Sequence, residues 1–185
     1  MARLHLVSAW ATEANLTLGQ VGVKDKSNEI TAIPLLLELL DLKGAWVTLD
    51  AMGCQKEIAR QVVEGGGDYV LMVKGNQERL RDDIVDCFVR TYDADCRDRS
   101  YTKYETVEEG QGRHKRRIYE VIAKPTGLRD QQAWPKPRVI GKSRQGYCDM
   151  QHLLPVAVSE LWQPHRKRKR ASVPLAVISA TALRP

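Results

Sequence analysis

Residues 45–74 read AWVTLDAMGCQKEIARQVVEGGGDYVLMVK, and this stretch decides the fold. Residues 45–49 form a short apolar run that is typical of a strand covered on both faces, and the run stops at Asp50. Residues 53–64 carry apolar side chains at helical spacing, and the three glycines at 65–67 end that helix. The first half of the stretch therefore predicts a buried strand followed by a helix.

A second apolar run follows the glycines over residues 68–73 and ends at Lys74. Two buried strands separated by one helix are typical of a parallel pair, because parallel neighbours need a crossover connection. Such crossovers are almost always right-handed. The stretch thus predicts one βαβ unit of an α/β fold.

The residues before this unit predict an antiparallel strand pair and a helix. Residues 3–11 alternate loosely between apolar and polar side chains, and residues 16–23 alternate more clearly. The polar loop at 25–28 supplies helix-capping side chains, and we expect the regular part of the following helix to begin at Pro34. Combined with the βαβ unit, this predicts a mixed sheet with flanking helices.

The pattern continues past Lys74 and then weakens. Asn76 can cap a third helix whose apolar residues recur at helical spacing, and residues 101–107 and 116–123 are compatible with a hairpin. We therefore divide the chain into a core at 1–92 and a hairpin-containing region at 93–140. The tail at 141–185 is basic and interrupted by prolines, so we expect it to be irregular and poorly ordered.

The net charge of +6 is concentrated in that tail. Residues 141–185 hold eight basic and two acidic side chains, which accounts for the whole excess, so the first 140 residues are neutral. No apolar run is long enough to cross a bilayer and no cleavable leader is evident, which predicts a cytoplasmic protein without a membrane partner. The four cysteines lack metal-binding spacing, which favours reduced thiols over a zinc site.

Asp50 is the candidate for metal chemistry. It follows a buried strand directly and Lys74 follows the next one, so both are expected at the carboxyl edge of the sheet, where sites of α/β folds collect. A carboxylate there is a suitable ligand for Mg²⁺. The alternative is structural: an aspartate at a strand end also accepts backbone N–H groups from Met52, Gly53 or Cys54.

Lys74 and two basic runs are candidates for contact with DNA phosphates. The first run lies beside the predicted glycine turn, and the second lies in the tail. Simple exposure of a hairpin to solvent accounts for the charges of the first run about as well as DNA contact does. Their basic members are Arg113, Lys115, Arg116 and Arg117 in the first run, and Arg166, Lys167, Arg168, Lys169 and Arg170 in the second. His114 lies among these positive charges, which argues against a role as general base.

Four segments resemble the H-repeat-associated, or ISAs-type, group of bacterial insertion-sequence transposases. They are LVSAW at 6–10, DKSNEI at 25–30, VTLDAMGCQ at 47–55 and GDYVLMVKGNQ at 67–77. The resemblance covers residues 3–140 and is clearest before residue 92. It implies a ribonuclease-H-like fold and DNA transposition by two-metal phosphoryl transfer, with an Asp, Asp, Glu set holding Mg²⁺.

By this resemblance Asp50 is the second aspartate of the set and a metal ligand. The family's Asp-Gly-Lys segment, which carries the first aspartate, and its segment with the final glutamate have no counterpart in this sequence. Gln111 and Lys115 also replace a histidine and a glutamate of a family element near the hairpin turn. We therefore expect a partial core that lacks its first, central strand, and hence marginal stability or self-association.

Three functions follow from these observations. The first is a transposase by descent, inactive alone, that associates with insertion-sequence DNA in the nucleoid or with an intact transposase. The second is a non-catalytic DNA-binding or regulatory protein that acts through its basic tail. The third is an active Mg²⁺-dependent nuclease that recruits other acids such as Glu29 or Asp68. A reading-frame shift near codon 140 is one hypothesis for the unusual tail.

Overall fold

The computed structural model describes residues 5–24, 29–97, 100–110, 113–135, 137–146, 156–158 and 175–182. The chain divides into two compact units. The first unit contains residues 1–71, 133–135 and 162–185, and the second contains 72–132 and 136–161. The division of the sequence after residues 92 and 140 stays a prediction.

The first unit is a five-stranded mixed sheet with two helices. Its strands are β1 (His5–Ala11), β2 (Leu16–Val23), β3 (Trp46–Leu49), β4 (Asp68–Met72) and β9 (Leu175–Ala182), in the order β2-β1-β9-β3-β4. The β1 strand is antiparallel to both β2 and β9, whereas β3 is parallel to both β9 and β4. This confirms the predicted antiparallel pair, the parallel pair and the mixed α/β class.

Helices α1 (Glu29–Glu38) and α2 (Lys56–Glu64) each bury one apolar side. The predicted capping loop at 25–28 lies outside the described residues. The prediction that the regular helix begins at Pro34 is wrong: α1 already begins at Glu29 and continues through the proline. The carbonyl oxygen of Pro34 accepts a hydrogen bond from Nε2 of Gln61 at 2.9 Å, which ties α1 to α2.

The predicted helix stop at the three glycines is confirmed by the turn they form. Gly66 has a φ of +80°, a left-handed conformation that other residues rarely adopt. At Gly67 an added Cβ atom would lie 2.8 Å from the carbonyl oxygen of Leu42. The close approach lets Asp68 N–H bond the carbonyl of Ala45 at 2.8 Å. The turn therefore places the start of β4 beside the start of β3.

The second unit combines helix α3 (Glu78–Asp93) with four antiparallel strands. These are β5 (Tyr101–Gly110), β6 (Arg113–Ala123), β7 (Val139–Gly146) and β8 (Val156–Val158), in the order β8-β7-β6-β5. The predicted hairpin is confirmed and is longer than expected, because Gly110 pairs with Arg113 and Tyr101 with Ile122.

Three segments of the predicted irregular tail are strands, which corrects that prediction for the described part of the tail. Residues 141–146 continue β7, residues 156–158 form β8, and residues 175–182 form β9. No helix in the described ranges is long and apolar enough to cross a membrane.

A buried polar network holds α3 against β6 and β7 in the second unit. Lys142 and Glu120 are only 4% and 5% exposed, and Nζ of Lys142 lies 3.1 Å from Oε2 of Glu120. Oε1 of Glu120 accepts hydrogen bonds from the hydroxyl groups of Tyr92 at 2.5 Å and Tyr101 at 2.7 Å. Lys142 also contacts the Tyr92 hydroxyl and lies over the Phe88 and Tyr92 rings. The buried charges are thus mutually satisfied.

The network lowers the pKa of Glu120. Burial by itself raises the pKa of this carboxyl, but the hydrogen bonds from Tyr92, Tyr101 and Lys142 outweigh that effect. Because the folded pKa is below the unfolded one, ionised Glu120 stabilises the fold at neutral pH. That contribution is lost as the pH falls through the folded pKa.

We predict that Glu120→Leu lowers the free energy of unfolding of the second unit by about 3–5 kcal/mol, because Lys142 is left buried without its counter-ion. The double variant Glu120→Leu/Lys142→Met removes both charges and should recover most of that loss. Urea unfolding followed by circular dichroism measures both. A double variant no more stable than the single one would contradict this account.

Candidate metal-facing rim at Asp50

Asp50 lies at the carboxyl end of β3, as the sequence predicted. The parallel registers pair Leu49 with Leu71 of β4 and with Ile178 of β9. One residue further, Asp50 is therefore level with Ser179 of β9. This edge of the first unit, which we call the Asp50 rim, is where loops diverge in a parallel sheet.

The carboxylate of Asp50 already has a structural role. Its Oδ1 accepts hydrogen bonds from the backbone N–H of Met52 at 3.1 Å and of Gly53 at 3.3 Å. The alternative suggested by the sequence, an aspartate that satisfies the backbone of the next turn, is thus confirmed for these two residues. Helix α2 begins later, after Gln55, so Asp50 stabilises the connecting turn and not the helix.

The other oxygen, Oδ2, makes no hydrogen bond or ion pair with any part of the chain that the structure describes. The side chain is exposed. A solvent-facing carboxylate oxygen can bind a cation, but one such ligand competes poorly with the strongly held hydration shell of Mg²⁺. Asp50 alone is therefore a weak metal site.

Neither alternative acid from the sequence joins Asp50. Asp68 pairs with Trp46, at the opposite end of β3, so it belongs to the other edge of the sheet. Glu29 is buried, and its Oε1 lies 3.4 Å from Nδ1 of His5. Within the described ranges no three His, Cys, Asp or Glu side chains cluster closely enough to hold a metal ion. The described rim therefore does not fit a two-metal site.

Lys74 follows β4 and is exposed, before a short 3₁₀ turn at Gly75–Gln77. Its carbonyl oxygen accepts the N–H of Gln77 at 3.0 Å. Lys74 belongs to the second compact unit of the chain. Its position on the Asp50 rim stays a prediction.

Two residues of the basic run of the hairpin are register partners of acidic residues in β5. Lys115 pairs in register with Glu108, and His114 with Glu109. Arg116 donates from Nε and Nη2 to the two carboxylate oxygens of Glu105, at 2.5 and 2.9 Å. These bonds lower the pKa of Glu105. Arg116 is therefore engaged within the hairpin, which reduces the positive charge it offers to DNA.

The structure describes some of the remaining candidates for DNA contact and not others. Arg117 is half-buried in β6. Arg113 pairs in register with Gly110. The basic block of the tail lies outside the described residues; it consists of Arg166, Lys167, Arg168, Lys169 and Arg170. DNA contact by any of these residues stays a prediction.

The backbone N–H of Cys54 donates to the carbonyl oxygen of Ala51 at 3.3 Å in the turn after Asp50, and Cys54 is fully buried. Burial raises its pKa to about 12, which removes it as a nucleophile at neutral pH.

Sequence reasoning missed the polar network around Lys142, because a charge count assigns this lysine to the basic tail. The only available signal was the group of tyrosines at 92 and 101, which supply buried hydroxyl groups.

Comparison with known proteins decides the family. The sequence profile of the family described as "Transposase DDE domain" matches residues 2–170. The chain belongs to this family. It is also 41% identical over 127 residues to the H repeat-associated putative transposases YbfD and YhhI of Escherichia coli K12, a match that covers 69% of this chain.

A protein described as "Uncharacterized protein in dhlA 3'region", from Xanthobacter autotrophicus, is 45% identical over 144 residues, which is 77% of this chain. The chain spans about half the length of that protein and of YbfD, at 48% and 49%, and 33% of YhhI. No solved structure gives a significant match.

We predict that Asp50→Ala lowers the free energy of unfolding of the first unit by about 1 kcal/mol, because the N–H groups of Met52 and Gly53 lose their acceptor. Asp50→Asn keeps an amide oxygen at the same place and should cost only a few tenths of that. Thermal unfolding of both variants measures the difference. Equal losses in the two variants would show that the turn does not depend on this acceptor.

We also predict that Cys54 resists alkylation in the native chain. With a pKa of about 12, only a fraction of about 10⁻⁴ of the thiol is ionised at pH 8, and the sulfur is buried as well. Iodoacetamide labelling with peptide mass spectrometry should find Cys96, which is half-buried, modified well before Cys54. Labelling of Cys54 as fast as Cys96 would contradict the buried position.

Proposed function

We propose that this chain takes part in DNA transposition as a transposase-type protein that binds DNA but does not cut it alone. Membership of the transposase family supports the first part. The observation that carries the second part is the register at the rim, where Ser179 of β9 stands level with Asp50. Ser179 is not a carboxylate, and within the described ranges no three His, Cys, Asp or Glu side chains lie close enough together to hold a metal ion. The described part of the rim therefore does not supply the partners that phosphoryl transfer between two metal ions requires.

A ribonuclease-H-like core accounts for the sheet of the first unit. An antiparallel pair followed by two parallel strands, with Asp50 at the carboxyl end of β3, agrees with the position expected for the family's second aspartate. In this proposal β9 stands where the strand with the first aspartate belongs, and β9 contains no acid. The family's divalent metal would be held by Asp50 together with residues that this rim does not supply.

DNA is the proposed partner, and the tail is the proposed contact. The five consecutive basic residues at 166–170 give the highest local density of positive charge in the sequence. Such a block binds phosphates without sequence preference and releases counter-ions when it does so. Lys142, although basic, does not contribute because it is buried against Glu120. A DNA-bound protein of this kind belongs in the cytoplasm, with the nucleoid.

Association with an intact transposase is the second candidate role. It is favoured by the combination of a transposase-type sheet with an incomplete set of acids, since such a chain competes for DNA ends without processing them. This role requires DNA binding as well, so it shares the salt-dependence test of DNA binding described below.

Cleavage is tested with supercoiled plasmid DNA incubated with the full chain in Mg²⁺ or Mn²⁺. We expect no nicking above the level of Asp50→Asn, because one carboxylate does not hold two metal ions. Metal-dependent nicking by the unaltered chain that Asp50→Asn abolishes would overturn the proposal and would restore the active-nuclease hypothesis.

DNA binding is tested by the dependence of affinity on salt. The triple variant Arg166→Gln/Arg168→Gln/Arg170→Gln should lower the slope of log K against log salt by about 2.7, if each arginine neutralises one phosphate. The matched control Lys24→Gln/Lys43→Gln/Arg60→Gln removes the same charge from exposed positions of the first unit. Equal effects of the two variants would show that net charge, and not the tail, drives binding.

A further inference from the structure

The antiparallel sheet of the second unit has two unlike faces. Side chains alternate along each strand, so register partners across β5 and β6 lie on the same face. One face packs on α3 and carries the buried pair of Glu120 and Lys142. The opposite face, which we call the outer face, is turned away from α3. Its members in the strand pair are Thr102, Tyr104 and Thr106 of β5 with Val121, Tyr119 and Arg117 of β6.

Two aromatic rings lie side by side on the outer face. Tyr104 and Tyr119 are register partners, and their ring centroids are 6.5 Å apart with the ring planes inclined by 30°. A cross-strand aromatic pair stabilises an antiparallel sheet by itself. This pair also leaves ring surface in contact with solvent, since Tyr104 is 42% exposed and Tyr119 is only half-buried. A flat aromatic ligand can therefore reach the pair.

The charge of the outer face favours an anionic ligand. Arg117 lies two positions before Tyr119 on β6, so alternation places both on this face. Glu105 and Glu120 lie on the opposite face, where each bonds a basic side chain. Among the side chains that the structure describes on the outer face of β5, β6 and β7, one is a cation and none is a carboxylate.

Single-stranded DNA presents the groups that this combination recognises. Its bases offer flat faces that stack on aromatic side chains, and its phosphates offer oxygens to a guanidinium group. A duplex hides the faces of its bases within its own stack and offers mainly phosphates to such a surface. Aromatic rings next to an arginine therefore favour unpaired bases over a duplex.

We propose that the outer face of β5 and β6 binds unpaired bases of single-stranded DNA, with Tyr104 and Tyr119 as stacking residues and Arg117 as a phosphate ligand. The choice of DNA as the ligand rests on the proposed function. The site is distinct from the basic block at 166–170, because the proposed contact of that block is with phosphates and does not require unpaired bases.

The first test compares the affinities of the full chain for an oligothymidylate and for a duplex, each of about 20 nucleotides per strand, by fluorescence anisotropy. The double variant Tyr104→Thr/Tyr119→Thr keeps residues that favour strands and removes both rings. We expect it to bind the oligothymidylate at least about tenfold more weakly and the duplex with unchanged affinity. The variant Tyr104→Phe/Tyr119→Phe keeps both rings and should retain the affinity of the unaltered chain for the oligothymidylate.

The matched control for removal of an exposed aromatic side chain is Trp10→Thr in the first unit. Trp10 is 39% exposed, close to the 42% of Tyr104. We expect Trp10→Thr to leave both affinities unchanged. An equal loss of oligothymidylate affinity in Trp10→Thr and in the double tyrosine variant would contradict a specific role for the outer face.

The phosphate contact is tested separately by Arg117→Gln. Its oligothymidylate binding should show a slope of log K against log salt that is smaller by about 0.7, the value for one phosphate of a single strand. Arg60→Gln removes the same charge from an exposed position of the first unit and should leave the slope unchanged. An unchanged slope in Arg117→Gln would contradict its role as a phosphate ligand.

A second measurement uses the unaltered chain, so it does not depend on the stability of a variant. A thymidine tetranucleotide is added while the ring protons of the six tyrosines are followed by NMR. Stacking should move the signals of Tyr104 and Tyr119 upfield more than those of the other tyrosines. An abasic tetramer with the same phosphates should not move them, and the single Tyr→Phe variants assign the two signals.

The outcomes separate this proposal from the proposed function. Unchanged oligothymidylate affinity in the double threonine variant, or a tetranucleotide that shifts neither ring, would overturn the role of the outer face while duplex binding by the tail stands. No duplex binding by the unaltered chain would contradict the proposed function, and the tetranucleotide spectra would still decide on the outer face.

Two further results would assign the outer face to another partner and overturn the proposal. The first is an oligouridylate that binds at least about tenfold more tightly than the oligothymidylate, which would indicate RNA. The second is a change of oligomeric state in the double threonine variant with unchanged DNA affinity, which would indicate contact between copies of the chain.

Discussion

The backbone pairing of β9 with both β1 and β3 is the constraint on which the first unit depends. A sheet interior needs a hydrogen-bond partner for nearly every backbone group, because an unpaired buried group costs free energy comparable to a lost hydrogen bond. The strand that meets this need lies more than a hundred residues after β3 in the sequence. The unit is therefore assembled from the two ends of the chain, and its stability depends on a contact of long sequence separation.

That arrangement also explains the chemistry of the Asp50 rim. Strand β9 restores the backbone pairing of the sheet, but it brings Ser179 and no carboxylate to the level of Asp50. Asp50 keeps the local role of accepting the N–H groups of Met52 and Gly53. The expectation of an open central edge is not met, because β9 occupies it.

The parts of the fold that the sequence predicted are those with local signals. The βαβ unit at 45–74 was predictable because each of its signals can be recognised from neighbouring residues in the sequence. These signals are the apolar runs, the helical spacing and the three glycines that end the helix. Asp50 was located by the same logic and by resemblance. Residues 175–182 were not recognised as a strand, because alanine-rich alternation is a weak signal and the partners are distant. The burial of Lys142 was missed for a related reason: its counter-ion, Glu120, is on another strand.

The central claim is tested most directly by hydrogen exchange of the backbone amides of β9 in the unaltered chain, measured by NMR. If Leu175–Ala182 is the middle strand of the sheet, amides such as that of Ile178 should exchange as slowly as those of Val47 in β3 and Val7 in β1. Amides of 175–182 that exchange at the rate of an unstructured peptide, while those of β1 and β3 remain protected, would contradict the account.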